Sequence, residues 1–191
     1  MRRSMLALGL LFLGSAAFAQ DRVAAPAPGQ EMPMPKPGPE HEVLRKDVGV
    51  WDATIELTME PGGKPEVTRG TATNTMVGGF WLVEDFQGEM FGKPFHGHSI
   101  TGWDASRKKY VGTWVDSMSP GFSAVVGTVD PKTHAMHATV EGPSPQGGAM
   151  KMRSTTEWKG DGTRVFTMFS PEGQGEEFAM MKITYKRRAA K

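Results

Sequence analysis

The sequence predicts an all-β domain, an up-and-down antiparallel barrel of about ten strands with a short helix in front of it. Apolar and polar residues alternate from Trp51 to Thr58, which is the period of a strand with one buried face. Turn signals then recur at short, even intervals, with no helical periodicity between them. A long meander leaves two unpaired edges unless it closes on itself, so a barrel is favoured over the alternative, a two-sheet sandwich.

The first residues have the pattern of an export signal. Arg2 and Arg3 precede an apolar run from Met5 to Leu13, and Ala17–Ala19 has the small-x-small pattern of a cleavage site. The apolar run is too short to span a bilayer. We therefore expect residues 1–19 to be a signal peptide and the mature chain, which has no integral membrane segment, to be periplasmic or secreted.

A proline-rich stretch follows at residues 20–39. Proline locks φ and removes a hydrogen-bond donor, so this stretch is predicted to be a disordered tether. The folded β-barrel domain is placed at residues 40–191, which is enough chain for one domain with a core of its own.

Composition excludes several classes of function. The formal net charge is +1 at pH 7, and the predicted signal peptide carries two of the arginines. A chain so close to neutral has no electrostatic attraction for nucleic acid, so no nucleic-acid partner is expected. The chain has no cysteine, which excludes disulfides, a thiol nucleophile and a thiolate metal site.

The domain opens with a helix and a strand. Residues Glu40–Val48 make about two helical turns, and Gly49 ends them. The strand that follows is predicted to bury Trp51, Ala53, Ile55 and Leu57.

Later strands are separated by segments rich in glycine, proline and aspartate. These segments are residues 61–64, 77–79, 88–94, 104–108, 119–121, 130–133, 142–148, 159–163 and 171–176. We expect one strand in each interval between them.

The segment Gly49–Trp51, directly after a short helix, resembles the opening of lipocalin-like (calycin) barrels. In those barrels the tryptophan fills the closed end, and a basic residue of the last strand lies over its ring. The last strand here ends in Lys186, Arg187 and Arg188, so one of these would supply the cation. A cation over an indole face is worth about 0.5–2 kcal/mol.

The chain from Glu40 to Arg188 also resembles an exported bacterial family, domain-of-unknown-function family 1579. The resemblance is carried by residues 41–53, 78–88, 92–104, 108–119 and 181–188. It implies a calycin-like barrel with a cavity, and no catalytic residue. Nitrobindins, which are similar ten-stranded barrels, hold haem through a histidine near the C-terminus. The last strand here has no histidine, so haem is not expected.

An apolar interior is the main functional expectation. A barrel of this size is too wide for side chains to fill easily, and we predict a cavity that binds a small apolar or amphipathic molecule. The predicted cavity residues are Trp51, Ile55, Val83, Phe95, Trp103, Tyr110, Trp114 and Phe122, with Leu57 and Val126 on the same face. A filled barrel that serves as a structural or interaction module is an alternative, and a catalytic role is less favoured because no standard enzyme motif is present.

His96 and His98 suggest a second alternative, a metal-associated protein or enzyme. Two residues apart in a strand, they project to one face about 6.6–7 Å apart. With Glu84 or Asp85 of the preceding strand they would hold a transition metal. The alternation places both histidines opposite Phe95, which favours a solvated outer face, so no cofactor is predicted.

Two further features have a functional and a structural interpretation. The fourteen methionines, including 32–34 and 150–152 in a Met-x-Met pattern, suit cuprous copper, but they also fill adaptable cavities, which is favoured. Asp104 and Asp116 each close a strand and are predicted to cap turns. If Asp116 lies at the mouth of the barrel, it receives a hydroxyl of the ligand instead.

Overall fold

The computed structural model describes residues 34–172 and 175–189, and within them it contains one helix and ten strands. Their bounds are α1 Pro39–Arg45, β1 Gly49–Leu57, β2 Glu66–Val77, β3 Trp81–Met90, β4 Lys93–Asp104, β5 Lys109–Asp116, β6 Ser123–Val129, β7 Met136–Pro143, β8 Ala149–Trp158, β9 Thr163–Phe169 and β10 Ala179–Arg187. The predicted signal peptide and most of the predicted tether lie outside the described residues.

Each strand pairs antiparallel with the next, and β10 returns to pair with β1. The closing ladder places Trp51 opposite Arg187 and Leu57 opposite Met181. The sheet is therefore a closed up-and-down barrel without edge strands. The predicted barrel of about ten strands is confirmed, and the sandwich alternative is wrong.

The alternation in β1 produces the core as predicted. Trp51 and Ile55 are each 1% exposed, and Ala53 and Leu57 are also buried. They pack with Ala72 and other inward residues of the neighbouring strands. Because alternate residues of a strand point to opposite faces, the apolar residues of β1 point to the interior. The inward faces of all strands meet inside the closed sheet and form one core.

Helix α1 packs against one end of the barrel, which we call the closed end. Leu44 is 3% exposed and packs with Leu82 and Tyr110, the first inward residues of β3 and β5. The Tyr110 hydroxyl donates a hydrogen bond of 2.9 Å to the carbonyl of Glu40. Apolar packing and this hydrogen bond together hold the helix in place.

The buried Trp51 lies at the closed end beneath a cation. The Arg187 guanidinium carbon is 4.1 Å from the centroid of the indole ring. Its N–H groups donate to the backbone carbonyls of Lys46, Val48 and Asp161. Of the basic residues expected to cover this tryptophan, Arg187 is the one that does so.

Candidate ligand cavity

The barrel encloses a cavity of about 850 Å³. It runs from Leu44 and Asp47 at the closed end to Phe91, Pro120 and Pro145 in the loops at the opposite end, which we call the mouth. Because α1 covers one end, the loops at the mouth are the natural entrance.

Several of the predicted cavity residues line this space. Ile55, Phe95, Tyr110 and Trp114 all contribute to its wall. Phe95 lies between two other rings, since its centroid is 6.0 Å from that of Phe86 and 6.3 Å from that of Trp114, with which it stacks. These rings give the cavity a rigid aromatic side.

Two predicted cavity tryptophans are packed elsewhere. Trp51 is buried at the closed end but does not line the cavity. Trp103 packs on Tyr110, with ring centroids 4.9 Å apart, and is also absent from the cavity wall. Both serve the closed end, where α1 meets the barrel.

The prediction that Val83 faces the interior is wrong. In β3 the buried residues are Leu82, Glu84 and Phe86, so Val83 faces outward. The error is one of register, because a shift of one residue exchanges the two faces of a strand. Apolar residues at Leu82 and Val83 made both registers plausible, and the buried Glu84 contradicted the apolar pattern.

The predictions for Phe122 and Val126 are wrong for a similar reason. Phe122 is 62% exposed in the loop before β6, and Val126 is 41% exposed. Val125 and Gly127 line the cavity instead. Apolar residues occupy both faces of β6, so alternation alone did not define its inward face.

At the closed end of the cavity lies a buried charge network that the sequence analysis missed. Arg164 is 6% exposed, and its two terminal nitrogens lie 2.8 Å from Asp47 and 3.0 Å from Glu84. Asp47 also accepts a hydrogen bond of 2.7 Å from the Trp158 indole N–H. The guanidinium carbon lies 3.9 Å from the centroid of the Tyr185 ring. The members of the network come from β3, β8, β9, β10 and the turn between α1 and β1, so no local pattern reveals them.

The network fixes the protonation state of Arg164 and of Tyr185. Burial alone would lower the pKa of Arg164, but the carboxylates of Asp47 and Glu84 outweigh it and raise that pKa. Burial raises the pKa of the Tyr185 hydroxyl well above its usual range, Glu84 adds to this, and Arg164 opposes it. Arg164 therefore stays charged and Tyr185 stays protonated at neutral pH.

The Trp114 ring packs closely against Gly97 of β4, where the absence of a side chain leaves room for it. A Cβ added at Gly97 would lie 2.2 Å from the Cζ2 atom of the Trp114 ring. The indole N–H of Trp114 donates a hydrogen bond of 2.9 Å to Asp116. Asp116 also accepts from the backbone N–H of Met118 at 2.8 Å, so it caps the turn and lines the cavity.

Flexible side chains form much of the remaining wall. The methionines that line the cavity are Met90, Met118, Met136, Met150, Met152, Met168 and Met181. Thioether side chains adapt to irregular shapes, so this wall suits a ligand that does not match it rigidly.

Hydroxyl groups line part of the same cavity. Ser99 and Thr101 of β4, Ser123 of β6, and Ser154 and Thr156 of β8 contribute to the wall. Polar residues on the inner face are unusual for a strand, because an alternation of apolar and polar residues normally separates the inner face from the outer one. The wall of this cavity combines apolar and polar residues and so departs from that rule.

With this geometry established, comparison with known proteins places the chain in a family. The profile described as "Protein of unknown function (DUF1579)" matches residues 36–187. The chain belongs to this family. No curated protein matches it.

Solved structures share the fold of this DUF1579 protein. It is similar to Rv2717c from M. tuberculosis, with 14% identity, a TM-score of 0.60, and coverage of 80% of this chain and 99% of that chain. It is also similar to the S-type phycobiliprotein lyase CPES from Guillardia theta, with 10% identity, a TM-score of 0.54, and coverage of 80% and 94%. Identities this low show a common barrel and nothing about the ligand.

His96 and His98 of this DUF1579 protein lie on the outer face of β4. His96 and His98 are exposed, and His98 Nδ1 lies 3.6 Å from a carboxylate oxygen of Asp85. Glu84, the other carboxylate considered for a metal site, points inward to Arg164. Within the described residues no group of three or more histidine, aspartate or glutamate side chains is placed to hold a metal ion.

The remaining sequence features take structural roles. Asp104 accepts hydrogen bonds from the backbone N–H groups of Ser106 and Arg107 at 2.9 and 3.1 Å, so it caps its turn as predicted. The Met-x-Met pattern at 32–34 begins outside the described residues. In the described part of this DUF1579 protein, no helix has the length and apolarity needed to cross a bilayer.

Proposed function

We propose that this protein binds a small amphipathic molecule inside its barrel. The observation that carries the proposal is the cavity of about 850 Å³, whose described lining includes seven methionines and eight aromatic side chains. Small-molecule sites in proteins have volumes of about 300–1,000 Å³ and combine apolar walls with a few placed polar groups. An apolar molecule gains roughly 25 cal/mol for each Å² that it buries in such a wall.

The cavity wall has an apolar part and a part that carries hydroxyl groups, which supports an amphipathic ligand over a purely apolar one. Ile55, Phe86 and Phe166 present hydrocarbon to the interior, whereas Ser154 and Thr156 present hydroxyls. A hydroxyl buried against hydrocarbon loses its hydrogen bond to water without replacement. A ligand with polar groups along one side would replace those bonds.

The pattern of residues 1–19 supports a role after export. We therefore propose that binding takes place in the periplasm or outside the cell, where a barrel that shields an apolar molecule from water serves as its carrier. No reaction is part of this proposal.

The test is to fill the cavity without changing the outer surface. Ala138 and Thr139 are neighbours in β7; Ala138 faces the cavity and Thr139 faces solvent. Ala138→Phe places a ring inside, and Thr139→Phe places the same ring outside. Binding of the neutral fluorescent probe N-phenyl-1-naphthylamine is measured with the chain from Gln20.

Wild type and Thr139→Phe are expected to enhance the fluorescence of the probe equally, and Ala138→Phe is expected to lose most of the enhancement while its circular dichroism stays unchanged. Equal enhancement in all three proteins, or none in wild type, would contradict the proposal. Native mass spectrometry of the same preparations identifies any molecule that remains bound through purification.

A further inference from the structure

We infer that the molecule bound in the barrel carries a positive charge at the end that faces the mouth. This inference rests on the proposed function and concerns the chemical class of its ligand. Its basis is the set of charged side chains on the cavity wall, which are Asp47, Glu84, Glu89, Asp116 and Arg164. Within the described residues, Arg164 is the only basic side chain of that wall, against four carboxylates.

Arg164 is not available to an acidic ligand. Its terminal nitrogens already bind Asp47 and Glu84, and its guanidinium plane lies against Tyr185. These two carboxylates together carry more charge than the guanidinium does. A fatty acid or an organic sulfate that enters the cavity would therefore meet no free cation among the described residues of its wall.

At the mouth, the described residues that hold Asp116 do so through neutral donors. The indole N–H of Trp114 and the backbone N–H of Met118 fix its two oxygens at 2.9 and 2.8 Å. Such hydrogen bonds orient a carboxylate but leave its charge in place. A cation beside it would pair with that charge, and in the neighbourhood of a partly buried wall this attraction is stronger than in bulk water.

Aromatic rings stand next to this carboxylate. Trp114 presents its indole at the wall and is stacked on Phe95. On the neighbouring hairpin, Phe91 and Glu89 also line the cavity at the mouth. Aromatic faces combined with carboxylates are the chemistry that recognises alkylammonium groups, because the face of a ring is electron-rich.

The basic residue nearest along that hairpin does not cancel this charge. Lys93 follows the turn after Phe91, but it is exposed and is not part of the cavity wall. The ligand class that fits is an amphiphile whose apolar body lies among the methionines and whose ammonium group lies near Asp116. An acidic amphiphile of the same length is disfavoured.

The experiment compares three probes with the same decyl chain: decyltrimethylammonium, decanol and decanoate. The two ionic probes are titrated into the chain from Gln20 below their micelle concentrations and decanol below its solubility limit, and the dissociation constants are measured by calorimetry. The cation is expected to bind at least about tenfold more tightly than decanoate. This preference is expected to shrink as salt is raised, because the carboxylates at the mouth are partly solvated.

Variants test whether the preference for the cation over decanoate depends on the carboxylates at the mouth. Asp116→Asn and Glu89→Gln, alone and together, are expected to reduce the preference to less than about threefold while decanol binding persists. Asp85→Asn removes the same charge from the outer face of β3 and is expected to leave the preference unchanged. Glu89 is exposed, so its variant remains informative if Asp116→Asn perturbs the fold.

Each result has a defined meaning. Decanol binding with no preference for the cation, or a preference that survives in the double variant, overturns this inference and leaves the proposed function standing. Failure of all three probes to bind overturns both. Tighter binding of decanoate overturns the inference and assigns an acidic ligand.

Discussion

Nη1 of Arg164 lies 2.8 Å from Oδ2 of Asp47, across a sequence separation of 117 residues. Asp47 lies between α1 and β1, and Arg164 lies in β9, so the ion pair ties the helical end of the chain to the inside of the barrel. Glu84 completes the arrangement from β3. The closed end of the cavity is thus formed by charge as well as by apolar packing.

Replacing the cation of this network is expected to be costly. Arg164→Met leaves Asp47 and Glu84 buried without a counter-charge, which lowers the free energy of unfolding by about 3–5 kcal/mol. Urea denaturation followed by circular dichroism measures the loss. Arg188→Met is the control, since Arg188 pairs with Asp52 on the exposed surface and its removal is expected to cost little. Equal stability of the two variants would show that the buried network is dispensable.

The contact between Gly97 and Trp114 is expected to tolerate no side chain. Gly97→Ala places a methyl carbon 2.2 Å from Cζ2 of the indole ring, so Trp114 must move. The free energy of unfolding is expected to fall by about 1–3 kcal/mol. Gly162→Ala is the matched control, because a Cβ there meets nothing within 4 Å. A loss in Gly162→Ala as large as that in Gly97→Ala would contradict the packing argument.

Alkaline titration provides a test of both tyrosines of the chain at once. Burial raises the pKa of Tyr110 and, more strongly, that of Tyr185 above the usual value near 10. The folded chain therefore holds its phenolic protons more tightly than the unfolded chain does. This contribution to stability is complete below pH 10 and is lost as the pH rises further, because only the unfolded chain then gives up the protons.

The absorbance of tyrosinate near 295 nm is the corresponding measurement. The native protein is expected to show less tyrosinate at pH 10.5 than the protein in urea, in which the tyrosines titrate near pH 10. Two tyrosinates formed reversibly at pH 10 without unfolding would contradict the burial of these hydroxyls.

The outer histidines are expected to be irrelevant to the cavity. His96→Ala combined with His98→Ala removes two exposed side chains from the outer face of β4 and is expected to leave probe affinity within about twofold of wild type. Native mass spectrometry in the presence of Zn²⁺ is the second readout. A bound metal in wild type that the double variant loses would restore the metal hypothesis.

The sequence predicts the barrel well because the alternation of apolar and polar residues within a strand indicates which of its faces is buried. In β1, Trp51 and Ile55 alternate with polar residues, and the period alone defines the inward face. The same method fails in β3 and β6, where apolar residues such as Val83 and Val126 stand on the outer face. Periodicity identifies the inward face of a strand only when that face is apolar and the outward face is polar.

The candidate site lies beyond local patterns for a different reason. Asp47, Glu84 and Arg164 meet only after the sheet has closed, and none of them has a neighbour in sequence that indicates its partner. Likewise, Ser154 and Thr156 look like solvent-facing residues until the structure shows them on the cavity wall. Apolar lining is visible in a sequence, whereas buried polar groups are visible only in the assembled barrel.

The ladder between β1 and β10 joins the two extremes of the domain, from Trp51 opposite Arg187 to Leu57 opposite Met181. Its formation closes a loop as long as the domain itself, and such long-range pairing is slow to form. Before that step, β1 and β9 each present an unpaired edge that invites association with another chain. A chain truncated before β10 is thus expected to form an open sheet whose two unpaired edges associate with other chains. Such a sheet encloses no cavity. During biogenesis, the cavity comes into being only with the final strand.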